Sequence, residues 1–156
     1  MNGGNKYGLF KKNLRLIAWA FGLKPNFRNP HKSGEYGEWL GKKFLKQKGF
    51  QVLSANWRSR KDRRNEIDLI CMDREILVFV EIRARSVNSF TTGFESLNNQ
   101  KRKALLNSFK AYLRETPEIP DSYRFDVIEI DLPSQVGKKV EVFHHENIAI
   151  FKDTLH

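Results

Sequence analysis

Apolar residues recur at helical spacing near the start of the chain. Phe10, Leu14, Ile17 and Phe21 form one stripe, broadened by Leu16, Trp19 and Leu23, and predict an amphipathic helix. The stretch from Pro25 to Pro30, with Asn26, Asn29 and Gly34 nearby, reads as a linker. From Ser33 a second helix is signalled by Trp39, Leu40, Phe44 and Leu45. Gly49 ends it, since glycine accepts the left-handed backbone that often follows a helix. Gln51 to Trp57 reads as a short strand. Two more strands, Asn65–Met72 and Ile76–Ala84, are too close in sequence for anything but an antiparallel hairpin, with Asp73 and Arg74 in the turn. A helix over about 98–115 ends before Pro117, and a strand over Tyr123–Ile130 follows. Val140–Phe143 and Ile148–Phe151 are candidate edge strands.

This order, α-β-β-β-α-β after the first helix, predicts an α/β protein with a mixed central β-sheet flanked by helices. It is not a doubly wound nucleotide fold, and no glycine-rich phosphate loop is present. Residues 1–32 are expected to form a basic arm with its linker, and 33–156 a single α/β domain.

Charge sharpens the picture. The 156 residues carry a formal net charge of +10, a field that attracts polyanions, of which nucleic acid is the commonest in the cytosol. Residues 1–32 contain seven Lys/Arg and no Asp or Glu. A basic amphipathic helix can contact a membrane surface, dock on a partner, lean on phosphates, or pack on the core. No small-residue cleavage site precedes Lys24-Pro25, so a signal peptide is not expected and the cytoplasm is the expected compartment. Cys71 is the only cysteine, which excludes disulfides within the chain and Cys-rich zinc sites. It lies among Leu69, Ile70 and Met72, as a buried structural thiol would.

The chemistry-bearing residues are acids placed inside apolar strands. Alternation puts Glu66, Asp68 and Ile70 on one face of the first hairpin strand, with Ile67 and Leu69 opposite. In the second strand it groups Leu77, Phe79, Glu81, Arg83 and Arg85. A mid-strand carboxylate is disfavoured by propensity and desolvation, so something must compensate for it. A turn at Asp73-Arg74 would set Glu66 opposite Glu81, whereas a turn spanning Asp73 to Ile76 would set Asp68 opposite Glu81. In either register Asp68 and Glu81 share a face, and like charges so placed repel. Two compensations are open: a bound hard cation, or ion pairing to nearby arginines such as Arg83.

An ordered set of segments resembles a known family. Gly37-Glu38, Phe44-Leu45, Gly49-Phe50, Val52-Leu53 and Asn56-Trp57-Arg58 resemble the opening of the YraN-type bacterial proteins. Glu66-Ile67-Asp68-Leu69-Ile70 and Val78-Phe79-Val80-Glu81-Ile82-Arg83-Ala84-Arg85 resemble its central segments, and Lys101 and Arg124-Phe125-Asp126-Val127 its later ones. The resemblance covers about residues 34–130. It implies a restriction-endonuclease-like core related to Holliday-junction resolvases. It further implies a Mg²⁺ or Mn²⁺ site held by Glu38, Asp68 and Glu81, with Glu66 auxiliary, and phosphate contacts from Arg85 and Lys101. A homodimer is also implied, since related resolvases pair. The chain departs from the family pattern at Asn65, where glycine is usual, and at Arg83, where the signature lysine is usual. Arginine stays protonated and cannot act as a base, though its fork can clamp a phosphate.

The loop Arg58–Arg64, with Arg58 and Arg60 foremost, leads into the hairpin and is expected to contact a DNA backbone. His144-His145 is expected to be a surface turn rather than a metal site, because neighbours on a strand face opposite ways. Three functions therefore stand side by side: a metal-dependent DNA endonuclease with Arg83 assisting catalysis, a catalytically silent nucleic-acid-binding module, and a membrane-peripheral or scaffold protein acting through its first helix.

Overall fold

A computed structural model describes residues 4–27, 29–86, 98–118, 120–133 and 139–150, giving only the backbone for residues 4–10 and 86. Three helices and five strands follow in the order α1 (Gly4–Ala20), α2 (Pro30–Gln47), β1 (Gln51–Arg58), β2 (Glu66–Asp73), β3 (Ile76–Ser86), α3 (Asn99–Glu115), β4 (Ser122–Leu132) and β5 (Glu141–His145) among the described residues. The strands form one sheet in the order β1-β2-β3-β4-β5. β1, β2 and β3 are successively antiparallel. β3 and β4 are parallel, joined by the α3 crossover, and β5 returns antiparallel to β4. This mixed sheet with helices on both faces is a restriction-endonuclease-like α/β core.

Each face has its own apolar cluster. On one, Tyr36 and Leu45 of α2 bury Leu69, Cys71, Val78, Val80, Ile128 and Ile130. On the other, Leu105 and Phe109 of α3 cover Ile70, Leu77, Phe79, Phe125 and Val127, with Phe79 and Phe109 stacked at 4.4 Å. Leu77, Val78, Phe79 and Val80 of β3 and Val127, Ile128 and Ile130 of β4 are buried and apolar toward both layers because both faces are covered, the usual state of a parallel pair. Cys71 is buried, as expected, and burial together with the nearby Asp126 carboxylate pushes its thiol up to about 12, so it carries no thiolate at neutral pH.

α1 rests on α2 through half-buried Leu16 and buried Trp19, and Arg15 bonds Glu35 at 2.8 Å. Leu14, Ile17, Phe21 and Leu23 are exposed. No described helix is long and apolar enough to cross a membrane.

Four expectations are corrected in detail. α2 begins at Pro30, not Ser33, because the Asn29 side chain caps the Lys32 N–H at 3.1 Å and proline suits the first helical position. The hairpin turn is Arg74-Glu75, with Asp73 paired to Ile76 and Arg74 at φ +54. The register that sets Asp68 opposite Glu81 is therefore the one adopted. His144 and His145 belong to β5 rather than a turn: His144 faces buried Asp126 at 2.9 Å and His145 faces Glu129 at 2.7 Å. Residues 148–150 are not a strand, although the Ile148 N–H bonds the Phe125 carbonyl at 2.8 Å and Ile148 and Ile150 pack on the α3-side core. Phe151 lies outside the described residues.

Candidate nucleic-acid site where two strands part

The β2–β3 ladder runs only from the Asp73–Ile76 pair to Leu69–Val80. β2 nevertheless stays paired with β1 as far as Glu66, and β3 with β4 as far as Ser86. The sheet therefore splits beyond Leu69 and Val80, and Asp68 and Glu81 stand at the split. Asn56 of β1 lies opposite Asp68, between the Ala55–Leu69 and Trp57–Ile67 pairs, with a left-handed φ of +52. Asparagine tolerates that conformation better than most residues. The Asp68 carboxylate fills the break by accepting the Ile82 N–H at 2.8 Å, supplying the acceptor a neighbouring strand would have given.

The split also upsets the expected alternation. Ile67 joins Ile70 in the α3-side cluster, while Leu69 joins the α2-side cluster, so Ile67 and Leu69 do not share a face. Regular alternation needs regular pairing, and pairing fails at Asp68.

Glycine lets α2 approach this opening. A Cβ on Gly37 would fall 2.6 Å from the Ala84 Cβ, and one on Gly41 3.0 Å from the Ile82 Cδ1. The next residue, Glu38, accepts a hydrogen bond from the Asn56 side-chain amide at 3.1 Å. From the other layer, Asn98 caps α3 by accepting the Lys101 N–H at 2.8 Å, fixing the first turn. The Lys101 ammonium then reaches Glu81 at 2.9 Å, and Arg83 lies 3.8 Å from the same oxygen. Glu81 is only 4% exposed. Burial, and then the Glu81 charge, push Asp68 up from its ordinary 3.8 to about 7. The Ile82 N–H and Lys101 oppose that rise, and Glu38 adds slightly to it.

Comparison with known proteins places this arrangement. The model of the uncharacterised protein family UPF0102 matches residues 37–130, which span the opening and everything that builds it. The chain belongs to the UPF0102 family. It is 36% identical over 120 residues to a UPF0102 protein of Chlorobium phaeobacteroides, covering 77% of this chain and 93% of that one. It is also 36% identical to a UPF0102 protein of Alkaliphilus oremlandii (74% and 96% covered), and 33% identical to one of Carboxydothermus hydrogenoformans (79% and 99% covered). The expected family resemblance is thereby borne out.

In this UPF0102 chain the expected site residues divide. Glu38, Asp68, Glu81 and Lys101 gather at the opening, with Arg83 at its margin and the Arg83 Nε buried without a hydrogen-bond partner among the described residues. Glu66 is instead engaged by Arg58 at 2.6 Å. Arg85 lies against Asp131 at 2.7 Å and Glu129 at 3.9 Å. In the basic loop, the Arg60 backbone N–H donates to Glu115 at 3.2 Å and Arg64 pairs with Asp62. Among the described residues no group of three His, Cys, Asp or Glu is disposed to hold a metal ion. Asn56 is a residue of the site that spacing and charge in the sequence do not single out. Its signal is an asparagine, a poor strand former, inside an otherwise ordinary strand.

A cleft of about 720 Å³ opens on the α2 side of the split. Lys12 and Arg15 of α1, Trp39, Lys42, Lys43 and Lys46 of α2, and Asn56 of β1 line it together with Glu38 and Asp68.

Proposed function

We propose that this UPF0102 member is a DNA-binding protein built on a nuclease-like fold, with the β2–β3 split as the place where a phosphodiester sits. One observation carries the reading: two carboxylates, Asp68 and Glu81, are held together at a break in the sheet, where burial and the neighbouring Glu81 charge make Asp68 costly to ionise. A fold gains nothing from such a pair by itself, and a cationic ligand or a cation-bound phosphate relieves it. The net charge of +10 and the lysines around the opening favour a polyanion.

The donors fit a hard divalent cation, Mg²⁺ or Mn²⁺, as a two-carboxylate site. Such ions take one or two carboxylates and complete their shell with water and phosphate oxygens. Glu38 stands nearby and accepts from Asn56 through one oxygen, leaving the other to reach a water of the ion's shell or the ion itself. When bound, such an ion supplies charge neutralisation and a more acidic water. The chain's own part is to hold: Asp68 and Glu81 are the anionic floor, Lys101 balances Glu81 and meets an incoming phosphate, and Arg83 offers its fork without serving as a base. Endonuclease activity is the finer form of this proposal.

The catalytically silent binding module is favoured by a separate observation. Lys101 at 2.9 Å and Arg83 at 3.8 Å already compensate Glu81, as internal cations would if no metal were used. The experiment is fluorescence anisotropy with labelled duplex and branched DNA, in EDTA and in Mn²⁺, with product gels for wild type and Arg83→Lys. Tighter binding in Mn²⁺ together with cutting, increased in Arg83→Lys by about tenfold or more, supports the nuclease. EDTA-insensitive binding without cutting in either form supports the silent module. Failure to bind any of these DNAs would overturn both.

A further inference from the structure

We infer that the cleft between α1 and α2 is a channel for an unpaired DNA strand, leading it toward Asp68; this rests on the DNA-binding reading above. The cleft's volume of about 720 Å³ is that of a small-ligand site. It suits a stretch of single strand and is too small for a double helix.

Three of its cations are outside any ion pair: Arg15 is engaged by Glu35 at 2.8 Å, whereas Lys12, Lys42 and Lys46 have no ion-pair partner among the described residues. Lys42 and Lys46 lie one helical turn apart, about 6 Å along the axis, close to the step between successive phosphates of an extended strand.

An aromatic ring accompanies these charges. Trp39, one turn before Lys42 and Lys43, lines the cleft, and Lys43 lies 5.3 Å from its ring. Trp19, which also lines the cleft, at 5.8 Å and Tyr36 at 5.5 Å pack against the indole and brace it. A braced aromatic beside a lysine row is the pairing that binds single strands with little sequence preference, the ring taking a base and the lysines the backbone. The same cleft is lined by Asn56, Glu38 and Asp68, so a strand lying along the lysines arrives at the split in the sheet. A duplex has no such access, and its contacts fall outside the cleft.

The test compares a labelled oligothymidylate with a duplex of equal length, using the full chain and the Lys42→Glu/Lys46→Glu variant, whose folding is checked by circular dichroism. The wild type is expected to bind both. The variant is expected to lose about tenfold or more for oligothymidylate and less than about twofold for duplex. Its slope of log affinity against log salt for the single strand should fall by about 1.4, the share of two phosphate contacts. If charge reversal impairs folding, Lys42→Gln/Lys46→Gln gives the same comparison. Equal loss for both DNAs, no loss for either, or a wild type that binds only duplex overturns the channel and leaves the DNA-binding reading standing. A wild type that binds neither DNA overturns both.

Discussion

Replacing Asp68 by asparagine removes the charge at the split while leaving an oxygen to accept the Ile82 N–H. In the folded protein the carboxyl is pushed up from 3.8 to about 7, chiefly by burial and then by Glu81. At about 1.4 kcal/mol for each tenfold change, that rise corresponds to roughly 4 kcal/mol. The folded state holds a proton in this range that the unfolded state has released. The contribution of protonated Asp68 to wild-type stability is therefore fully present below pH about 4 and is lost as pH rises to about 7. Urea unfolding at pH about 5 and about 8 reads this directly. Asp68→Asn is expected to stabilise by about 1–2 kcal/mol at the lower pH and by about 4 kcal/mol at the higher, a widening of about 2–3 kcal/mol between them. In Mn²⁺ at the higher pH the gap should narrow if the ion binds the wild-type pair. A variant destabilised equally at both pH values would refute the argument, since Asp68 would then be an ordinary structural acceptor whose charge costs nothing.

Two other substitutions test the frame around the site. Gly37→Ala sets a methyl group 2.6 Å from the Ala84 Cβ, so α2 must lift from β3. We expect a loss of about 1–3 kcal/mol by chemical denaturation despite the better helix propensity of alanine, and recovery when Ala84→Gly is added; strictly additive effects would place the cost elsewhere. Asp126 is fully buried, and although burial alone would raise it, bonds from His144, Arg124 and the Asn147 N–H hold it below the usual carboxylate range. Its contribution is present above the ordinary aspartate pKa and lost as pH falls through the lower folded one. Asp126→Ala should therefore cost roughly 3–5 kcal/mol near neutral pH in thermal or urea unfolding, with the difference from wild type shrinking below pH about 4.

Local signals made most of the fold legible. Gly49 stops α2 as expected, with φ +93, and the short gap after β2 could only be a hairpin. Pro117 lies just past the end of α3. Element ends were harder, because caps and turns depend on single side chains. Asn29 and Pro30 looked like linker and proved to be the cap and first residue of α2. The acids of the site were visible because a carboxylate inside an apolar strand is anomalous wherever it occurs. Their surroundings were not. Asp68 faces both layers because the ladder breaks beside it, and an argument from strict alternation assumes an unbroken ladder. The setting of His144 and His145 is hidden from the sequence for a related reason. Their partners, Asp126 and Glu129, lie on β4, and only the β4–β5 register brings them together.

The distortion of β1 reaches beyond the site. β1 is an outer strand, and its bulge between Val52 and Ser54 and left-handed Asn56 disturb the row of amides and carbonyls facing away from β2. An extended partner needs several evenly spaced groups to dock edge to edge, and this border offers them only in short runs. The same irregularities that mark β1 beside Asp68 thus disfavour edge-to-edge pairing of neighbouring sheets along that border.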